Sequence, residues 1–158
     1  KDNEEKAPDF VSGAIFSGME MYQPSPYDRI QAEEYKLIRD IASKESCVIV
    51  GRAADYILSD QSHVSIFLFA PMEDRVKRKM ALLKPEDAAK MTPAAMEKIV
   101  KQMDKQRKRY YEYYTDMKWG ARDSYDLLIN TSQSGIDGAV KIIRTYIDEC
   151  RGESIMPN

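Results

Sequence analysis

Arg75, Arg78 and Lys79 recur at three- and four-residue spacing, and Lys105-Gln106-Arg107-Lys108-Arg109 runs directly into Tyr110-Tyr111-Glu112-Tyr113-Tyr114. From Arg75 to Arg109 the chain carries twelve of its 24 Lys and Arg residues but only four of its 26 Asp and Glu residues. A positive block segregated inside a chain of net charge -2 either forms a solvated basic face or meets an anion, most simply phosphate. Three shorter groupings add to it. Gly51-Arg52-Ala53-Ala54-Asp55 delivers an arginine and a carboxylate at a tight turn, as a loop ion pair or as ligand contacts. Asn130-Thr131-Ser132 offers polar groups able to cap a helix or touch a base. On the helical spacing of Met96, Ile99, Val100, Met103, Tyr110, Tyr111 and Tyr114, Arg107 falls within an apolar stripe and Asp104 lies one turn before it. A charge on an apolar face is costly unless paired. Either Asp104 and Arg107 form an ion pair, or Arg107 is aimed at an anionic ligand.

These residues need a scaffold, and the composition permits one. A chain of 158 residues with 43% hydrophobic and 32% charged residues is long and apolar enough to bury a core, which argues against disorder. The longest apolar runs, Cys47–Val50 and Ile66–Pro71, are far too short to span a bilayer, and no signal-peptide pattern opens the chain. Cys47 and Cys150 lack metal-ligand spacing, so a reduced, cytoplasmic protein is expected. The acidic balance argues against nonspecific nucleic-acid binding by the whole chain, and no membrane partner is expected.

Short apolar runs alternate with helical patterns. Lys1 to Pro26 reads as a polar loop with short helical turns. Asp28 is placed to cap a helix to about Lys44, with Ile30, Leu37, Ile38 and Ile41 inward and Glu33, Glu34, Lys36 and Arg39 outside. Cys47–Val50, stopped by Gly51, reads as a buried parallel strand; Ser65–Phe69 and Asp126–Asn130 read as two more. Pro71 opens a helix with Val76, Met80 and Leu83 inward. After a polar break from Lys84 to Met91, Thr92-Pro93 caps a long helix to about Tyr114. Ser134-Gly135-Ile136-Asp137 resembles a capping box opening a last helix, with Val140, Ile143, Tyr146 and Ile147 inward. The tyrosines, Trp119 and the nine methionines read mainly as packing residues, and His63 as solvent-facing. Strands alternating with helices predict an α/β fold with a parallel sheet flanked by helices, and ligands then bind beyond the carboxyl ends of the strands.

Val48-Ile49-Val50-Gly51-Arg52-Ala53-Ala54-Asp55, Phe67-Leu68-Phe69-Ala70-Pro71-Met72-Glu73-Asp74-Arg75, Asp104-Lys105-Gln106-Arg107 with Tyr110-Tyr111, and Tyr125-Asp126-Leu127-Leu128-Ile129-Asn130-Thr131-Ser132 occur in that order. In that order they resemble the cytidylate-kinase-like family of P-loop proteins, from roughly Ser46 to Cys150. The resemblance implies a three-layer kinase-like fold in one domain over residues 1–158: an acceptor-binding insert at 1–45, core at 46–83, lid and following helix at 84–114, and core again at 115–158. It implies ATP-dependent phosphoryl transfer to a nucleoside monophosphate, with ATP and Mg²⁺ required by the intact protein. Arg52, Asp55 and Asp104 would meet the acceptor, Arg75, Arg78 and Arg107 the transferring phosphoryl, and Asn130, Thr131 and Ser132 the nucleotide cofactor. Arginine suits that work because its planar fork binds phosphate oxygens bidentately and stays charged. Two departures stand out. No G-x-x-x-x-G-K-[ST] occurs, so the first strand, phosphate loop and first helix are expected to lie outside this chain. Ala53 and Ala54 separate Asp55 from the Gly-Arg pair that Asp directly follows in cytidylate kinases. A nucleotide-binding module without turnover, and a nucleic-acid-binding protein using residues 75–109, are the alternatives.

Overall fold

The computed structural model describes residues 26–153. The expectation for Lys1 to Pro26 lies almost wholly outside them. In chain order the described elements are α1 (Pro26–Lys44), α2 (Ala54–Ile57), β1 (Ile66–Phe69), α3 (Met72–Ala81), α4 (Pro85–Ala88), α5 (Pro93–Tyr114), a 3₁₀ turn (Arg122–Ser124), β2 (Leu127–Asn130) and α6 (Thr131–Glu153). The strands pair in parallel, Ile66 opposite Leu127 through Phe69 opposite Asn130. Asp126 fixes this register from outside the ladder. Its Oδ2 accepts from the Ser65 N–H at 2.7 Å and the Ser65 hydroxyl at 2.8 Å. The described fold is thus α/β, with a small parallel sheet flanked by helices.

Two apolar clusters hold the described elements. Val76 of α3 packs on Met96 and Val100 of α5, with Met72, Met80, Leu83 and Met91 around them. The helical spacing of those residues fixes the contact, and the caps fix where the helices begin. Thr92 Oγ1 accepts from the Ala95 N–H at 3.2 Å, and Pro93 occupies the first helical position. The second cluster joins Ile38 of α1 to Ala54, Ile57 and Leu58 around α2, with Ala42 and Ile49 against it. Arg39 locks that join. Its guanidinium donates to both Asp60 carboxylate oxygens, at 2.7 and 2.8 Å, and to the Ile57 carbonyl at 3.0 Å.

Several local expectations are corrected. Cys47–Val50 is not a buried strand: Val48 and Val50 are 93% and 89% exposed, and only Ile49 packs inward. A continuous apolar run is buried on both faces only when neighbouring strands cover it, and the described two-stranded sheet does not include this segment. Helix α1 starts at Pro26, which puts Asp28 in its first turn rather than at the cap. Its apolar face is only partly covered, since Ile38 is buried but Ile30, Leu37 and Ile41 are exposed; Arg39, expected outside, turns inward to its clamp. The break at Lys84–Met91 contains the short α4. In α6 the Ser134 hydroxyl donates to the Asn130 and Gly135 carbonyls instead of capping the helix, and Gly135 has the non-helical values φ 67°, ψ 178°. Ala139 is the buried apolar residue among those described in that helix, while Val140 is exposed. Trp119 and His63 behave as expected: Trp119 packs edge-on against Phe67 at 5.2 Å, and His63 is exposed beside the Gln61 carbonyl.

Candidate functional site

Helix α5 is the spine of the candidate site. Its first half is bound to α3 by apolar packing, and Asp104 extends that contact with a charge. Asp104 Oδ1 accepts from Arg75 at 2.6 Å, the two side chains 20% and 29% exposed. Asp104 is therefore paired across the helix interface and not with Arg107. A neighbouring helix offers a better-aligned, more desolvated partner than a residue one turn along the same helix. Arg107 is exposed, and it makes no ion pair or hydrogen bond among the described residues. The apolar stripe changes partners midway along α5, from α3 at Met96 and Val100 to Tyr125 at Tyr111, and Arg107 falls in the interval.

Beyond the carboxyl end of the sheet, Arg78 reaches the start of α6. It donates to Thr131 Oγ1 at 2.8 Å, to the Thr131 carbonyl at 3.0 Å and, more distantly, to Ser132 Oγ at 3.5 Å. Thr131 is buried and donates its hydroxyl to the Phe69 carbonyl at the end of β1. Asn130 Oδ1 accepts from the Ser132 N–H at 3.0 Å and tightens the same turn. The structure thus brings Arg75 together with Asp104, and Arg78 with Thr131 and Ser132.

Arg52 and Asp55 lie at the other end of α5. Gly51, Arg52 and Ala53 all have left-handed backbone, with φ of 77°, 58° and 51°. Two successive non-glycine residues there cost about 1–2 kcal/mol each, so the surroundings must hold them. They do: the Ala53 methyl is buried, and the Ala54 N–H closes the turn on the Gly51 carbonyl. The Arg52 guanidinium lies over the Tyr110 ring at 5.7 Å and 3.5 Å from Glu34 of α1, with the Tyr110 hydroxyl 3.4 Å from Glu34. Burial raises the Tyr110 phenol above its ordinary value; Glu34 adds to the shift and Arg52 opposes it. Asp55 does not pair with Arg52. Its Oδ2 accepts from the Tyr111 hydroxyl at 2.6 Å. Burial first, and then that carboxylate, hold the Tyr111 phenol far above its ordinary range.

Glu34 and Tyr111 join the candidate site through these contacts, a placement that sequence reasoning missed. Glu34 sits in a run of polar helix positions, and its partners are distant along the chain. Tyr111 gives the signal of a packing residue, which it also is. For a metal the donor set does not fit: no cluster of three or more His, Cys, Asp or Glu side chains occurs among the described residues. Also among them, no helix is long and apolar enough to cross a membrane.

The described fold is of the α/β class, in which ligands bind beyond the carboxyl ends of parallel strands. The model of the cytidylate kinase-like family matches residues 1–133, and the chain belongs to that family. It is 28% identical over 120 residues to a cytidylate kinase of Staphylothermus marinus, covering 76% of this chain and 64% of that protein. It is 34% identical over 113 residues to a cytidylate kinase of Thermococcus kodakarensis, covering 70% of this chain and 54% of the relative. Among solved structures, an uncharacterized protein from Eubacterium ventriosum aligns with TM-score 0.69 and 34% identity, over 79% of this chain and 68% of that one.

Proposed function

We propose that this chain supplies the acceptor side and the cationic lid of an ATP-dependent nucleoside monophosphate kinase. One observation carries the reading: α5 runs from the Arg75–Asp104 pair to the Tyr111–Asp55 bond, with the exposed Arg107 between them. Asp104 and Tyr111 are seven residues apart, so the two contacts lie about 10 Å apart along the helix, a span that fits a phosphoryl acceptor. In this reading Arg52 takes the acceptor phosphate and Asp55 its nucleoside. Arg107 meets the charge that develops on the transferring phosphoryl. Arg75, oriented by Asp104, and Arg78, oriented by Thr131, keep the sheet exit positive. Asn130, Thr131 and Ser132 lie where the nucleotide cofactor would meet the sheet. Phosphoryl transfer depends on alignment and charge neutralisation more than on covalent participation, and these groups suit it.

ATP and Mg²⁺ would serve the complete reaction, and the described residues offer no carboxylate cluster for the metal. The 158 residues also contain no G-x-x-x-x-G-K-[ST], the loop whose N–H groups and lysine cradle ATP phosphates. The chain by itself should therefore bind a monophosphate and turn over little. Calorimetric titration with CMP, UMP and AMP, alongside a phosphoryl-transfer assay from ATP, tests both parts. No binding of any monophosphate would defeat the acceptor reading, and robust turnover would defeat the account of the phosphate loop. The exposed Lys105, Arg107, Lys108 and Arg109 support the nucleic-acid alternative. That reading requires tighter binding to oligonucleotides than to mononucleotides, with a steep multi-charge salt dependence.

A further inference from the structure

Asp55 stands three residues after Arg52, where α2 leaves the left-handed turn. Its two carboxylate oxygens are not equivalent. Oδ2 holds the Tyr111 hydroxyl at 2.6 Å, whereas Oδ1 has no hydrogen bond among the described residues, and the side chain is only half-buried. The donor belongs to a packed aromatic series. Tyr111 is buried, its ring stacks on Tyr125 at 5.8 Å, Tyr125 leans on Phe67 at 4.9 Å, and Phe67 meets the edge of Trp119. Phe67 lies on β1, so this aromatic series ties the hydroxyl to the sheet rather than to α2. Burial and the Asp55 carboxylate raise the phenol above its ordinary value, so at neutral pH it is protonated and donates to Oδ2. An ionised carboxylate only accepts hydrogen bonds, and beside a phosphate it repels. Asp55 therefore cannot serve the phosphate that Arg52 attracts.

We propose that Tyr111 is a positioning residue for ligand selection: by fixing Oδ2 of Asp55 it turns Oδ1 toward an N–H or O–H donor on the nucleoside portion of the acceptor, while Arg52 takes the phosphate. This rests on the reading of Arg52 and Asp55 as acceptor contacts. It makes nucleoside recognition depend on a hydroxyl that touches no ligand.

The test titrates CMP and inorganic phosphate separately into the 158-residue chain. Tyr111→Phe keeps the ring and removes the hydroxyl. It should weaken CMP binding about tenfold, the scale of one charge-assisted hydrogen bond, and leave phosphate affinity unchanged. On an Asp55→Ala background the same change should cost no further CMP affinity. Asp55→Asn approaches the contact from the other side and should give the same selective loss for CMP. Equal losses for CMP and phosphate, unchanged CMP affinity, or fully additive losses in the double variant would each reduce Tyr111 to a packing residue and overturn the proposal. A wild-type chain that binds no CMP defeats the acceptor reading and this proposal together. Wild-type binding with an indifferent Tyr111→Phe defeats this proposal alone.

Discussion

The middle of α5 and its C-terminal turns have differently held arginines near them. At the sheet exit, Arg75 and Arg78 are held by Asp104 and Thr131 at 2.6 and 2.8 Å, beside the packed α3–α5 contact. At the α1–α2 end, Arg52 rests on a strained left-handed turn, 56% exposed and 3.5 Å from Glu34. Its orientation comes from the backbone and from Tyr110 more than from a tight ion pair. Partnered cations in a packed interface set geometry, whereas loosely held ones retain the capacity to bind an incoming anion. Arg107, on α5 between Asp104 and Tyr110, is of the second kind.

The strongest way to sharpen that contrast is at Arg107. In a form of the protein that turns over, Arg107→Ala should lower kcat about a hundredfold or more, roughly 3 kcal/mol on the scale of a lost oxyanion donor. Stability should barely change, because the side chain is exposed. Arg107→Lys keeps the charge and loses the fork, so normal kcat in that variant would break the assignment. Asp104→Ala should do the reverse. It strands Arg75 in a partly solvated interface and should cost about 2 kcal/mol of stability, below the range for a fully buried pair. Urea unfolding reads this directly, and an unchanged midpoint would make the sheet-exit pair as loose as the one at Arg52.

Arg52→Ala should weaken monophosphate binding about tenfold, some 1.4 kcal/mol, and leave Tm nearly unchanged, because the Arg52 side chain is mostly exposed, its pair with Glu34 is loose, and the Tyr110 hydroxyl still donates to Glu34. A large Tm drop with unaltered affinity would make Arg52 a structural residue. The smallest effect concerns pH. The Arg39 hydrogen bonds hold the Asp60 carboxyl below its usual value. A depressed folded-state value means that the stabilisation is present above the unfolded value of about 4 and is lost as pH falls through the folded one. Asp60→Asn should therefore lower stability slightly at neutral pH, where the clamp contributes, and flatten the acid limb below about pH 4. An acid limb identical to wild type would remove the clamp from the account of the α1 join.

Much of the scaffold was legible locally. Thr92-Pro93 announced α5 because a hydroxyl followed by proline satisfies the first turn without tertiary help. The Val76, Met80 and Leu83 spacing announced the α3 face, and the apolar runs at Ile66 and Leu127 announced the paired strands. Cys47–Val50 misled because burial is a property of neighbours, which a run of apolar letters does not specify. The same limit applied to the site. Composition and spacing supplied the cationic block, the Gly51–Asp55 turn and the polar exit after β2. Which charge met which partner was decided by packing. Asp104 chose Arg75, 29 residues away, over Arg107, three away, and Asp55 chose Tyr111 over Arg52. Local sequence dictates helix faces and caps because those interactions reach only a few residues. Ion pairs and buried hydrogen bonds go to whichever group the fold brings within 3 Å and away from water, and no spacing along the chain encodes that distance.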